Sequence, residues 1–104
     1  NFFASWCPPC KVEHPNLIKL SKKFEIYGIA KKDNDITIHK WLKKSGNPFV
    51  AIGLDNDGSA SINWGVYGLP ETFVVSGDGK IIYKHVGPIT INDLNKINEI
   101  LKIQ

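Results

Sequence analysis

Apolar residues change their spacing along the chain, and the changes predict strands and helices in alternation. Phe2-Phe3-Ala4 is the end of an apolar strand, and residues 11–24 carry apolar side chains at roughly helical spacing. Glu25 to Ala30 is a short run that favours a strand, because β-branched and aromatic residues suit a pleated surface. The first 30 residues therefore predict strand, helix and strand.

A second unit repeats this order. Asp33-Asn34-Asp35 offers N-cap residues for a helix, and Gly46 is expected to end that helix. Phe49 to Ile52 predicts the following strand. Asp55-Asn56-Asp57-Gly58 has the composition of a turn.

The last third of the chain predicts a hairpin and a helix. Thr72 to Ser76 and Lys80 to Val86 flank Gly77-Asp78-Gly79, which predicts a β-hairpin. Thr90 and Asp93 resemble a capping box that opens an amphipathic helix with its apolar residues inward, namely Leu94, Ile97 and Leu101. Strands that alternate with helices imply an α/β sheet with at least one parallel pair.

Composition favours one compact domain over residues 1–104. The chain is 42% hydrophobic and 22% charged, with a formal net charge of +3. A chain of this length supports one hydrophobic core, and its apolar runs are too short for a membrane-spanning helix. The lysines are scattered among acidic residues, so we expect no nucleic-acid partner. No flavin or nicotinamide motif is present, and we expect no cofactor.

The only two cysteines are separated by two prolines, which predicts a redox pair. Positions i and i+3 lie on one face of a helix, within the distance that a disulfide spans. Cys7 is expected at the helix N-terminus, where free N–H groups and the helix dipole stabilise a thiolate and lower the thiol pKa. Cys7 is therefore the predicted nucleophile. Cys10, one turn further, is the predicted resolving thiol.

Three other uses of the cysteines are less well supported. A zinc site of Cys7, Cys10 and His14 needs a fourth ligand, and no other histidine has a metal-like spacing to them. A haem attachment site needs histidine after the second cysteine, where Lys11 stands. A structural disulfide that closes so short a loop gains little stability. Redox chemistry is favoured over all three.

Several motifs are distributed along the chain: Trp6-Cys7-Pro8-Pro9-Cys10, Glu13-His14-Pro15, Tyr27-Gly28, Lys32-Asp33, Trp41-Leu42, Gly46-Asn47-Pro48, Gly65-Val66-Tyr67-Gly68 and Pro70-Glu71-Thr72-Phe73. Taken together, they resemble the DsbE/CcmG family of membrane-anchored, thioredoxin-like proteins of bacterial cytochrome c maturation. The resemblance runs nearly from end to end, and its most specific parts are the segment from Gly65 to Phe73 and the helix and strand between Asp33 and Leu54.

The resemblance implies a thioredoxin-like fold: a central mixed sheet flanked by helices, with a helix-plus-strand insertion. It also implies a truncated N-terminus, because the family's upstream hairpin and membrane anchor are absent from this chain. We expect the chain to be less stable than a version extended upstream of Asn1.

The resemblance also implies roles for further residues. Leu69-Pro70 is expected to be a cis peptide facing Cys7, with the Leu69 backbone free to pair with a substrate strand. Glu13 and Glu71 are expected to line the active-site cleft and tune the thiols; the alternative is that both are solvated. Trp6 is expected to pack beside the disulfide and tune access to it.

The implied function is the reduction of protein disulfides outside the cytoplasm. The expected substrate is apocytochrome c or a maturation partner before haem attachment, and a membrane thiol-reducing protein is the expected electron donor. The full-length protein is expected to be periplasmic, anchored in the inner membrane and monomeric. Two alternatives stay open: a TlpA/ResA-type reductase with another protein substrate, and a non-catalytic module that binds apocytochrome or metal. The direction of electron flow also stays open, because known Cys-x-x-Cys proteins act as reductants or oxidants.

Overall fold

The computed structural model describes residues 1–102 as a five-stranded sheet with helices packed on it. Positions 103 and 104 of the predicted domain lie outside the described residues. Along the chain the elements are β1 Phe2–Phe3, α1 Pro8–Ser21, β2 Tyr27–Lys31, α2 Asp35–Ser45, β3 Ala51–Asp55, α3 Ser59–Asn63, β4 Glu71–Val75, β5 Ile81–Val86 and α4 Ile91–Lys102.

The sheet is mixed, with the strand order β3-β2-β1-β4-β5. β1 and β3 each pair in parallel with β2, while β4 is antiparallel to both β1 and β5. The predicted α/β class with a mixed sheet is confirmed. The helix and strand of the predicted insertion are α2 and β3, which together add an edge strand beside β2.

The core depends on a close approach between two aromatic rings. Phe3 of β1 stacks on Phe49 with ring centroids 4.7 Å apart. Gly28 of β2 lies against both rings, and a Cβ atom there would come within 2.8 Å of Phe3 and 2.9 Å of Phe49. Glycine is thus required at position 28 for steric reasons. Around this stack lie the buried apolar residues of the helices, including Leu17, Ile38 and Ile97.

The structure corrects several predicted boundaries. α1 begins at Pro8 and ends at Ser21, whereas the apolar spacing predicted a helix over residues 11–24. Val12, an apolar residue of that stretch, is 72% exposed. β2 begins at Tyr27, two residues later than predicted. β3 spans Ala51–Asp55, so the predicted strand at Phe49 starts too early. Tertiary pairing with β2 sets these strand limits, and local composition does not contain that information.

The short helix α3 was not predicted, and Asp55 explains how it forms. Asp55 ends β3, and its carboxylate accepts hydrogen bonds from the N–H groups of Ala60 and Ser61 at 3.0 and 2.9 Å and from the Ser61 hydroxyl at 2.8 Å. Burial alone would raise the pKa of Asp55, but these hydrogen bonds stabilise the ionised form more strongly, so the pKa is lowered. The carboxylate thus satisfies N–H groups at the start of α3, whose N-cap, Gly58, has no side chain to do so.

The predicted start of the last helix is confirmed. Thr90 Oγ1 accepts a hydrogen bond from the Asp93 N–H at 3.2 Å, and Asp93 accepts one from the Thr90 N–H at 2.9 Å. Leu94 and Ile97 are buried as expected. Of the helices within residues 1–102, none combines the length and apolar character that a bilayer crossing requires.

Candidate active site

Cys7 and Cys10 form a disulfide at the first turn of α1, as their spacing predicts. Their Cα atoms are 5.3 Å apart, and both residues are buried. Cys7 is the N-cap residue, with extended backbone, and Pro8 occupies the first helical position. Proline suits that position because its missing N–H would have had no partner there.

The start of the helix presents hydrogen-bond donors to Cys7. The Cys10 N–H lies 3.3 Å from Cys7 Sγ, and the Cys7 carbonyl accepts from the N–H groups of Cys10 and Lys11 at 3.1 and 3.3 Å. A thiolate at Cys7 Sγ would therefore face an N–H group and the positive end of the helix dipole. Cys10 lies inside the helix, as the third residue of α1, and is 1% exposed.

A second segment, residues 64–70, lies at the end of the sheet from which β1 leads to Cys7. We call this segment the proline loop. It connects α3 to β4, and its Leu69–Pro70 peptide bond is cis. Because Phe2 pairs with Glu71 in antiparallel register, the end of β1, which leads to Cys7, and the start of β4, which follows Pro70, lie side by side. The Gly87 N–H donates to the Pro70 carbonyl at 2.9 Å and fixes this loop to the end of β5.

The connection from β1 to the cysteines is held by the loop after β2. Asp33 accepts hydrogen bonds from the Ser5 N–H and, at 2.7 Å, from the Ser5 hydroxyl. The Trp6 indole N–H donates to the Lys32 carbonyl at 3.1 Å. Trp6 remains 57% exposed, so most of its ring faces solvent beside Cys7. The sequence offered Asp33 as an N-cap candidate and as part of a family motif, but the N-cap of α2 is Asn34, and the bond of Asp33 to Ser5 was not predicted.

Glu13 is deeply buried in α1, which excludes the solvated alternative. Its carboxylate accepts hydrogen bonds from Asn1 Nδ2 at 3.0 Å and from the Ile89 N–H at 3.2 Å. Burial raises the pKa of Glu13, and the hydrogen bonds from Asn1 and Ile89 oppose that rise. Its described polar partners are thus Asn1 and Ile89, and no contact with either sulfur appears among the described hydrogen bonds.

Glu71 is likewise buried, at the first position of β4. Lys84 Nζ lies 3.1 Å from its Oε1, and the Tyr67 N–H donates to its Oε2 at 3.1 Å. Glu71 therefore bonds to the proline loop and to β5. The solvated alternative is wrong here too. The sequence analysis did not predict the pairing of Lys84 with Glu71, because the register between β4 and β5 brings the two side chains together.

His14 is unsuited to the zinc site that we considered. It is buried, its Nε2 lies 2.7 Å from the Gly46 carbonyl, and its ring packs on Trp41 with centroids 4.6 Å apart. In the part of the chain that the structure describes, no group of three or more His, Cys, Asp and Glu side chains is arranged to hold a metal. His14 is therefore a structural link between α1 and the end of α2.

A mixed sheet, a Cys-x-x-Cys disulfide at a helix start and an adjacent loop with a cis-proline together define a thioredoxin-type thiol-disulfide protein. Family comparison agrees: the model of the Redoxin family matches residues 1–101, and the chain belongs to that family. Among solved structures, one assigned as the thiol:disulfide interchange protein DsbE of Chlorobium tepidum superposes with a TM-score of 0.83. The two sequences are 26% identical, and the match covers 97% of this chain and 74% of the Chlorobium tepidum chain.

Sequence relatives narrow the assignment. The thiol:disulfide interchange protein CycY of Rhizobium leguminosarum bv. viciae is 50% identical over 86% of this chain. A DsbE homologue of Paracoccus denitrificans is 44% identical over 89% of the chain. The chain spans about half of their lengths, 50% and 52% respectively. The predicted resemblance is confirmed: within the Redoxin family, the chain is a DsbE/CcmG-type thioredoxin-like protein.

Proposed function

We propose that the protein is a thiol-disulfide oxidoreductase that reduces disulfides in other proteins. The observation that carries this proposal is the Cys7–Cys10 disulfide, closed at the N-terminus of α1 beside the proline loop. The similarity to proteins named thiol:disulfide interchange proteins supports the same reaction class.

The reaction begins from the reduced pair. The Cys7 thiolate attacks one sulfur of the substrate disulfide; a mixed disulfide forms, and the other substrate sulfur leaves as a thiolate and takes up a proton. Cys10, once deprotonated, attacks Cys7 Sγ. This step closes the Cys7–Cys10 disulfide and releases the second substrate thiol. Two electrons pass to the substrate, and an external dithiol must return them.

Substrate binding is assigned to the proline loop. Leu69 is half-buried and lies at the end of the sheet where β1 ends and β4 begins. An extended substrate segment would pair with this backbone as an added strand, with its cysteine next to Cys7. This mode depends little on substrate side chains. Trp6, exposed beside Cys7, supplies an apolar contact for the same segment.

The biological setting rests on the family resemblance. We infer that the substrate is apocytochrome c or a maturation partner outside the cytoplasm, in the periplasm. The electron donor is a membrane thiol-reducing protein, and the working form is an anchored monomer.

Trapping the mixed disulfide tests this function. A Cys10→Ser protein cannot resolve the intermediate, so we expect it to accumulate a disulfide between Cys7 and its substrate, identifiable by mass spectrometry. A Cys7→Ser protein is the matched control and should trap nothing. Disulfide reduction by Cys7→Ser would overturn the assignment of the nucleophile.

The same experiment distinguishes the alternatives. An apocytochrome c in the trapped complex supports the proposed substrate, whereas an unrelated protein indicates a TlpA/ResA-type reductase. A binding module would instead keep its partner when both cysteines are serine, and cytochrome maturation would be normal in cells with that variant.

A further inference from the structure

Lys84 contacts three separate groups around the proline loop. It lies on β5 opposite Phe73 of β4. Its Nζ atom is 3.1 Å from Glu71 Oε1, donates to the Gly65 carbonyl at 3.3 Å and lies 5.4 Å from the centroid of the Phe73 ring. One ammonium group therefore links β5, the first residue of β4 and the first part of the proline loop.

Through Glu71, the same ammonium group also acts on the middle of the loop. Glu71 uses one oxygen for Lys84 and the other for the Tyr67 N–H. Gly65 and Tyr67 are thus held by one connected pair of charges. Val66 and Pro70 also anchor the loop, since both side chains are buried. Tyr67 between them is 90% exposed and Gly68 is exposed as well, so the Tyr67 backbone depends on its hydrogen bond to Glu71.

The charges make this pair more than a surface contact. The Glu71 side chain is only 4% exposed, and that of Lys84 is 40% exposed. Within residues 1–102, Lys84 is the one basic side chain in a salt bridge with Glu71. Removing one partner of such a pair leaves a buried charge uncompensated, which costs far more than a surface ion pair gains.

We propose that Lys84 is a positioning residue for thiol-disulfide exchange: through Glu71 and Gly65 it holds the proline loop in the shape that presents the Leu69 backbone to a substrate strand beside Cys7. This inference takes from the proposed function only the reaction, which is thiol-disulfide exchange with a protein substrate. Lys84 itself contacts neither sulfur among the described contacts, and its effect passes through the loop.

Steady-state kinetics on Lys84→Met test this role. With insulin as the disulfide substrate, we expect KM to rise about tenfold, the order of effect expected when a hydrogen bond to a charged group is lost. kcat should change much less. With 5,5′-dithiobis(2-nitrobenzoate), which needs no strand pairing, the rate of thiol oxidation should fall far less than with insulin. Loss of stability alone would reduce both reactions together.

The chain offers a matched control on the same hairpin. Lys80 pairs with Asp78 at 3.8 Å at the far end of β5, and its side chain is 80% exposed. Lys80→Met makes the same change in charge and shape without touching the loop, so its KM should equal that of the wild type. Lys84→Arg should recover most of the affinity. The double variant Lys84→Met/Glu71→Gln should recover part of the affinity for insulin that Lys84→Met loses, because it leaves no buried charge unpaired.

Amide hydrogen exchange keeps the test independent of activity. In oxidised protein, Lys84→Met should speed exchange of the Tyr67 amide, and Lys80→Met should not. An unchanged insulin KM and unchanged Tyr67 exchange in Lys84→Met would overturn this inference, as would equal effects of the Lys80 variant. A wild-type protein that failed to reduce insulin would instead count against the proposed function, and the exchange data would still decide the role of Lys84.

Discussion

Glu13 is a buried acid whose pKa departs from its ordinary value. Burial raises that pKa above 4.5, and the hydrogen bonds from Asn1 and Ile89 oppose the rise. Because the pKa of Glu13 is raised, the native state keeps the Glu13 proton at pH values where the unfolded chain has lost it. The stabilisation that protonated Glu13 provides is therefore complete below pH 4.5 and is lost as the pH rises through the raised pKa.

Glu13→Gln should remove this loss. In chains acetylated at Asn1, where the amino group no longer titrates, we expect the variant to gain stability relative to wild type as the pH rises from 4.5 through the raised Glu13 pKa. Urea unfolding at several pH values measures the difference. Glu99→Gln, on the exposed surface of α4, controls for the loss of one charge. A difference between Glu13→Gln and wild type that does not vary with pH would contradict the assignment.

At the residue scale, the two cysteines were predictable because their spacing alone brings them together. The environments of Glu13 and Glu71 were not predictable. Their polar partners include the Ile89 N–H for Glu13 and Lys84 for Glu71, and both partners reach the carboxylates only through the fold. For the same reason, the hydrogen bonds by which Asp33 holds the segment leading to Cys7 were not predictable.

Among the elements, α4 has the helix start that the sequence predicted most clearly. Thr90→Ala removes the acceptor for the Asp93 N–H, and we expect it to lower the free energy of unfolding by about 0.5 to 2 kcal/mol, the usual cost of losing an N-cap side chain. Urea unfolding of the variant and of the wild type measures this difference in the free energy of unfolding. Thr37→Ala, in the first turn of α2, is the control, because the Thr37 N–H keeps its bond to Asn34. Equal stabilities for Thr90→Ala and wild type would show that the cap contributes nothing.

The helices were easier to predict than the strands. Asn34 and Gly46 cap α2 as predicted, because capping is local chemistry. The limits of β2 and β3 depend on their mutual pairing, and α3 depends on Asp55 five and six residues before the groups it binds. Such connections leave no periodic signal in the sequence.

Across the whole molecule, the central strand β1 is the shortest strand of the sheet. β1 has two residues between the five-residue strands β2 and β4, and it pairs with β4 at a single position. Beside it lies a groove of about 730 Å³ whose lining is largely apolar, formed among others by Leu17, Leu20, Phe24, Ile26, Phe73, Val74, Ile97 and Leu101. Strand residues continuous with β1 would fit between β2 and β4.

We therefore expect a version extended upstream of Asn1 by an alternating apolar strand segment to be more stable. Added residues would pair with β2 and β4 and bury apolar surface in the groove. The extended chain should show a higher urea midpoint at equal pH. An extension of the same length made of Gly and Ser is the control and should leave the midpoint unchanged. Equal midpoints for the apolar extension and the present chain would refute the expectation.

The most direct test of the account is the reduction potential of the Cys7–Cys10 pair. The protein is equilibrated in dithiothreitol or glutathione buffers, and the free thiols are trapped by alkylation and counted by mass spectrometry. The account predicts one reversible two-electron couple, with a potential near the value of about −270 mV typical of thioredoxin. A potential near that of a strong oxidant, about −120 mV, would reverse the proposed direction of electron flow. The absence of a reversible couple would contradict the redox function itself.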